Sequence, residues 1–337
     1  MRFSFLAAAF LLPLLASAQA PRFTTIGRVV AQTPAFDRLI APGTPIEIVA
    51  SGLSHSEGPV WVPDSTMLLF SDAPTRIIYR WSAAQGKSTF LAGSGYTGRM
   101  PYGKEPGTNG LALDVQGNLL LAEHGDRRVA VLPLGQPGGK RTLTDAFEGR
   151  RYNSPNDVVA HPNGSIYFTD PPYGLPQQAQ STLREQPGSY VYRRSAKGTV
   201  THEITDLTLP NGLALTADGR NLFVSQSDSL RPVLMMYPVR GNGKLGAGRV
   251  FFDMQPLPRQ PKEVPDGLKL DRAGNVWATG HGGLVVISPQ GQHLGTIEVG
   301  EVISNCAWGD DGSTLYFTAG SFVCRVKTLV QGTTGGR

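Results

Sequence analysis

The sequence predicts an all-β chain folded as a six-bladed β-propeller, on three observations. First, a short phrase that opens on a side-chain oxygen recurs six times: Glu57-Gly-Pro-Val-Trp, Asn109-Gly-Leu-Ala-Leu, Asn156-Asp-Val-Val-Ala, Asn211-Gly-Leu-Ala-Leu, Asp266-Gly-Leu-Lys-Leu and Asn305-Cys-Ala-Trp-Gly. Second, the starts lie 52, 47, 55, 55 and 39 residues apart, and a period of about 40–50 residues built from short strands marks propeller blades. Third, each phrase leads through a tight turn into a second apolar run: Met67–Phe70, Leu119–Ala122, Ile166–Thr169, Leu222–Ser225, Val276–Thr279 and Leu315–Thr318.

The elements follow in chain order. Residues 1–20 read as a secretory signal peptide: Arg2 is the positive start, Phe3 to Leu15 the apolar run, and Ala16-Ser17-Ala18 and Ala18-Gln19-Ala20 the small-x-small cleavage signals. Cleavage after Ala18 or Ala20 is expected, with a periplasmic or secreted mature protein that has no membrane association. The apolar run is too short for the roughly 20 residues of a bilayer span. Residues 21–44 read as an N-terminal cap with a short helix around Phe36–Ile40. Residues 45–330 read as the propeller, and 331–337 as a flexible tail.

Within each blade the polar residue begins the inner strand. Turns rich in Asp, Asn and Gly follow, such as His161-Pro-Asn-Gly and Thr216-Ala-Asp-Gly, and these residues supply hairpin geometry. Third strands are read at Ile77–Trp81, Val129–Pro133, Tyr190–Arg193 and Val285–Ser288. Residues 45–50 read as an outer strand that pairs with the last blade and closes the ring.

Composition bounds the function. The chain has 337 residues and a net charge of +5. The basic residues are scattered pairs, which excludes a nucleic-acid footprint. The two cysteines, Cys306 and Cys324, fall on the first and third strands of one blade and are expected as free buried thiols. Gly93-Ser-Gly-Tyr-Thr-Gly98 matches a dinucleotide fingerprint but opens no helix, and no nucleophile elbow or zinc-protease motif occurs.

A propeller puts equivalent positions on one axis, so six side-chain oxygens converge. Glu57, Asn156, Asn211 and Asp266 offer two carboxylates and two amides, the oxygen set of a hard divalent cation, most in keeping with Ca²⁺. Asn109 and Asn305 complete the ring as outer or substrate-contacting groups. Residues just past the second strands return to the same mouth: Asp72, His124, Asp170, Asp228 and His281. His124 and His281 are candidates to orient substrate or move a proton. His55 reads as a loop residue. Asp64, Asp114, Asp218 and Asp271 fall at the opposite end and read as structural.

Long ordered motifs carry a resemblance. They are Ser56-Glu-Gly-Pro-Val-Trp61, Asn109-Gly-Leu-Ala-Leu-Asp114, Ala122-Glu-His-Gly-Asp-Arg-Arg-Val129, Asn153-Ser-Pro-Asn-Asp-Val-Val159, Ile166-Tyr-Phe-Thr-Asp-Pro-Pro-Tyr-Gly-Leu175, Pro210-Asn-Gly-Leu213, Val264-Pro-Asp-Gly-Leu268 and His293-Leu-Gly-Thr-Ile297. At these residues the chain resembles the gluconolactonase/regucalcin (senescence marker protein) family of six-bladed propellers, in its bacterial gluconolactonase branch. The resemblance implies a sugar-lactone hydrolase with one divalent cation, usually calcium. It makes Glu57, Asn211 and Asp266 metal ligands, Asn156 a fourth ligand or substrate contact, and Asp266 also the general base, with His124 the alternative base. Asn109, His124, Asn156, Asp170 and His281 stand as the substrate-contacting set. Animal members carry an arginine two residues before Asn156, where this chain has Ser154. Two other functions stay open at this stage: a related metal propeller acting on other esters or organophosphates, and a non-catalytic calcium- or ligand-binding propeller.

Overall fold

The computed structural model describes residues 23–333. The signal-peptide reading of residues 1–20 and the last four residues of the tail lie outside them. Six antiparallel sheets form the blades. Blade one is Ser56–Val62, Met67–Asp72, Ile77–Ser82 and Gly86–Ala92. Blade two is Thr108–Leu113, Leu119–Glu123, Arg128–Leu132 and Arg141–Thr144. Blade three is Val158–Ala160, Ile166–Asp170, Tyr190–Arg194 and Val200–Ile204. Blade four is Pro210–Leu215, Asn221–Gln226, Val233–Pro238 and Arg249–Asp253. Blade five, Leu268–Leu270, Val276–Gly280, Gly283–Ile287 and His293–Glu298, gains a fifth strand from Arg28–Ala31. Blade six, Ile303–Gly309, Thr314–Ala319 and Phe322–Lys327, takes its outer strand from Ile46–Ala50, so the ring closes as the sequence predicted.

The packing explains why second strands read as unbroken apolar runs. Alternate residues of a strand face opposite sides, and here both sides meet a neighbouring blade. Leu119 and Leu121 pack on blade one, whereas Leu120 and Ala122 pack on blade three. Val276 and Ala278 face blade four while Trp277 faces blade six. Each of the six blade interfaces has its own apolar cluster. At the interface of blades five and six, Phe36, Leu39 and Ile40 of the cap add to it around a 3-10 helix at Phe36–Arg38.

Cys306 and Cys324 are free and buried, separated by Phe317, which pairs with both. One expectation needs correction. Residues 331–337 are expected as a flexible tail, yet Gly332 and Thr333 donate backbone hydrogen bonds to Gly312 and Leu270. Gln331 also pairs with Arg272. Among the described residues no helix is long and apolar enough to cross a membrane.

Candidate active site at the channel mouth

The six polar residues sit at one structural feature. The ladder between inner and second strand slips at Glu57/Val60, Thr108/Leu111, Pro210/Leu213 and Ile303/Asn305. In blades three and five, Thr169 and Thr279 each bond two consecutive residues, Asn156 with Asp157 and Asp266 with Gly267. Such bulges kink a strand and re-aim a side chain. Here they belong to the residues that open each phrase.

The glycine that follows has a different cause. A Cβ on Gly110 would lie 2.6 Å from the Asn156 carbonyl, and one on Gly212 would lie 2.3 Å from the Asp266 carbonyl. Near the axis the blades approach too closely for a side chain. Buried hydroxyls at the ends of the second strands tie the same seams. Ser71 donates to the Asn109 carbonyl at 2.7 Å, Ser225 to the Asp266 carbonyl at 2.6 Å and Thr279 to the Ser304 carbonyl at 3.1 Å.

Glu57 and Asp266 are the two carboxylates of the ring, and neither forms a salt bridge among the described residues. Glu57 is buried and accepts from its neighbour Gly58 N at 2.9 Å and from Asn305 Nδ2 at 3.3 Å. Burial raises its pKa above the usual carboxylate range, even though the nearby His55 charge pulls it down. Asp266 is half-buried. Burial first, then the charges of Glu57 and Asp157, push its carboxyl well up, while a hydrogen bond from Asn211 opposes this.

The amides are oriented by their nitrogen ends. Asn211 Nδ2 donates to Ser227 Oγ at 3.0 Å, and Asn156 Nδ2 lies 3.3 Å from His124 Nε2. His124 Nδ1 meets the Glu105 carbonyl at 3.0 Å. A carbonyl only accepts, so Nδ1 carries the proton and the Nε2 lone pair receives the amide. Burial holds this imidazole's pKa below its ordinary value, so it stays neutral. The geometry makes His124 a positioning group for Asn156. Asn109 is buried on the ring and its amide makes no hydrogen bond to the described residues, which leaves it available to a ligand.

Two residues of the expected set are tied to backbone at the mouth. Asp170 accepts the backbone N–H groups of Asn153 and Ser154, both at 2.8 Å. Burial raises its carboxyl to about 7. It clamps the chain that leads into Asn156. Asp72 does the same to Ser54 and His55. Both stand at the last position of a second strand, where the side chain meets the backbone arriving at the next inner strand. His281 is buried with Nδ1 on the Met254 carbonyl at 2.8 Å, so it supports the loop before Asp266, while its buried Nε2 has no hydrogen-bond partner among the described residues. Asp228, also expected at the mouth, caps Thr208 and Leu230.

Three features of the site escaped sequence reading. Asp157 takes the place that glycine holds in four other phrases. Its two oxygens accept Val158 N and Leu213 N, each at 2.9 Å, which ties blade three to blade four. That break in the pattern was its one visible signal. Tyr173 reaches Ser227 and the neighbourhood of Asp266, and burial raises its phenol pKa. It sits in a quoted motif but nothing marked it out. His55, read as a loop residue, pairs with Glu105 at 2.7 Å. Burial disfavours its charge, but Glu105, with help from Glu57 and Asp72, outweighs that and holds the imidazolium up at about 9.

The donor chemistry can be set against known cations. Among the described residues no three His, Cys, Asp or Glu side chains cluster as a metal site. The ring instead offers two carboxylates and several amides, all oxygen donors, which suits a hard cation and not zinc. The Glu57 charge helps push the Asp266 carboxyl up, and two neighbouring carboxylates that form no salt bridge among the described residues suit a divalent ion between them.

Comparisons with known proteins agree with this architecture. A gluconolactonase from Zymomonas mobilis is 37% identical over 317 residues, spanning 92% of this chain and 88% of that protein. A pentonolactonase from Haloferax volcanii is 25% identical over 279 residues, 82% of this chain and 84% of its own. The solved structure of a gluconolactonase from Xanthomonas campestris superposes with a TM-score of 0.78 at 27% identity, covering 93% of this chain and 99% of that one. The family described as the SMP-30/Gluconolactonase/LRE-like region matches residues 55–321, and the chain belongs to it.

Proposed function

We propose that this protein is a lactone hydrolase, a carboxylic ester hydrolase that opens a sugar lactone at the channel mouth with the help of one divalent cation, Ca²⁺ by the chemistry of its donors. The observation that carries the reading is the convergence of Glu57 and Asp266 with the Asn156 and Asn211 amides at one bulged ring. The gluconolactonase and pentonolactonase relatives support the reaction class.

Glu57, Asn156, Asn211 and Asp266 would hold the cation. When bound it supplies Lewis-acid polarisation of the lactone carbonyl. The remaining work belongs to the chain. Asn109 offers an amide to the sugar hydroxyls. His124 keeps the Asn156 amide turned, and Ser227 with Tyr173 does so for Asn211. Asp266, the half-buried carboxylate, takes a proton from the attacking water, a role that contributes about 10²–10⁴-fold. The export signal read in residues 1–20 makes the periplasm or exterior its proposed location. N-terminal sequencing of the mature protein should find Gln19 or Pro21.

The test is glucono-1,5-lactone hydrolysis followed by proton release, corrected for spontaneous opening. Turnover should vanish with chelator, return with calcium, and be lost in Asp266→Asn. No turnover by metal-loaded protein on gluconolactone, pentonolactones or simple esters would reject the reading.

A further inference from the structure

Beside the ring lies a separate pocket of about 420 Å³. Its lining is Ser229 from one loop of the mouth and Arg259 to Val264 from another. Both loops run directly into the candidate active site. Ser227 Oγ receives the Asn211 amide and donates to the Pro265 carbonyl, and Val264 precedes Asp266 by two residues. Two residues of chain span at most about 7 Å, so the Val264 edge of the pocket stands close to the ring.

Its charge is net positive. Arg259 and Lys262 are exposed, and neither makes an ion pair or side-chain hydrogen bond with the described residues. Glu263, the acidic group of the pocket, is buried and its Oε2 is committed to the backbone N–H groups of Gln260 and Gly282, at 2.6 and 2.9 Å. It shapes the loop and makes no ion pair with either cation.

The loop's backbone also favours a ligand. Glu263 N closes on the Gln260 carbonyl at 3.2 Å, around Pro261 and a Lys262 whose φ is +74°. A turn with proline second and a positive φ third takes glycine at that third place. A lysine there carries strain, and strain of this kind gathers at ligand clamps. Supports beneath hold the loop in place: His281 fixes the Met254 carbonyl and Glu263 fixes Gly282.

We propose that this lip pocket binds an oxyanion, phosphate or carboxylate, carried by the substrate at the end remote from the lactone carbonyl, so that the enzyme prefers anionic sugar lactones to neutral ones. The inference rests on the lactonase reading above and names its substrate class. Arg259 and Lys262 would donate charge-assisted hydrogen bonds, with Ser229 as a neutral donor.

The experiment compares kcat/KM for 6-phosphoglucono-1,5-lactone, glucaro-1,4-lactone and neutral glucono-1,5-lactone in the wild type, Arg259→Gln, Lys262→Gly and the double variant. Glycine suits the Lys262 backbone, so that variant folds at least as well. The anionic-to-neutral ratio should exceed one, fall about tenfold per substitution, and shrink as salt rises. Preference for the phosphorylated substrate identifies phosphate as the group, and preference for glucarolactone identifies carboxylate. A ratio unchanged in the double variant, or a wild type that prefers the neutral lactone, overturns the proposal. Calorimetric titration with 6-phosphogluconate reads the pocket without turnover. Binding lost in the double variant supports it even if no lactone is opened, and absence of binding by the wild type overturns it.

Discussion

Gly110→Ala tests whether the ring is set by blade-to-blade contact. Gly110 N donates to the Asn156 carbonyl at 2.7 Å, across the seam of blades two and three. The added methyl carbon would stand 2.6 Å from that carbonyl oxygen, 2.7 Å from Asp157 Oδ1 and 2.8 Å from Asp157 Cα. Reaching ordinary contact at 3.4 Å requires a relative shift of about 0.8 Å. The obstacles include backbone, so the blades must part. Overpacking of this kind costs about 1–3 kcal/mol, and the stretched hydrogen bond adds about 1 kcal/mol. A loss of about 2–4 kcal/mol in denaturant unfolding is expected. Because Asn156 itself is displaced, hydrolysis should fall about tenfold or more even well below the unfolding transition. Gly241→Ala is the control: nothing lies within 4 Å of its added carbon, and the change should be neutral or stabilising by up to about 1 kcal/mol. If Gly110→Ala unfolds with Gly241→Ala and the wild type, close blade contact does not explain the repeated glycine.

Other consequences can be measured alongside. His124→Ala should free the Asn156 amide and weaken binding of the proposed cation by about tenfold. The shape of the pH–rate profile should not change, because a neutral positioning group contributes no pKa, whereas loss of a limb would restore His124 as the base. Glu123 is fully buried between Arg128 and Lys140, so Glu123→Gln should cost about 3–5 kcal/mol in unfolding free energy. Asp170 is raised from 3.8 to about 7 in the fold. Its stabilising contribution is therefore complete below about pH 4 and lost as the pH rises through 7, with a slope of up to about 1.4 kcal/mol per pH unit. Asp170→Asn should remove that component from stability measured across the window, and an unchanged slope would mean that Asp170 titrates normally.

The blades were legible because their signals are local. A polar residue, a turn and an apolar run repeat within each blade, and a strand buried on both faces shows as an unbroken run such as Leu119–Ala122. The ring was legible because symmetry converts repetition into convergence. The backbone contacts of Asp170 and His281 escape the sequence for one reason. Sequence position tells which end of a strand a residue occupies, but not whether its side chain turns to the axis or to the arriving backbone. His55 and Glu105 lie 50 residues apart on irregular chain that no period constrains. Tyr173 sits on a similar segment, and neither place had a repeat to interpret it.

The closing strand has an effect on how the chain is made. Ile46–Ala50 joins blade six only through Phe322–Lys327, a strand from the opposite end of the propeller. Until it arrives, five blades stand as an open arc with two unpaired edges, the kind of surface that promotes misassociation. A product cut short by even one strand cannot join its ends. Closure of the ring therefore waits for the last blade, and copies truncated before it remain open to degradation before they can form the ring of oxygens on the axis.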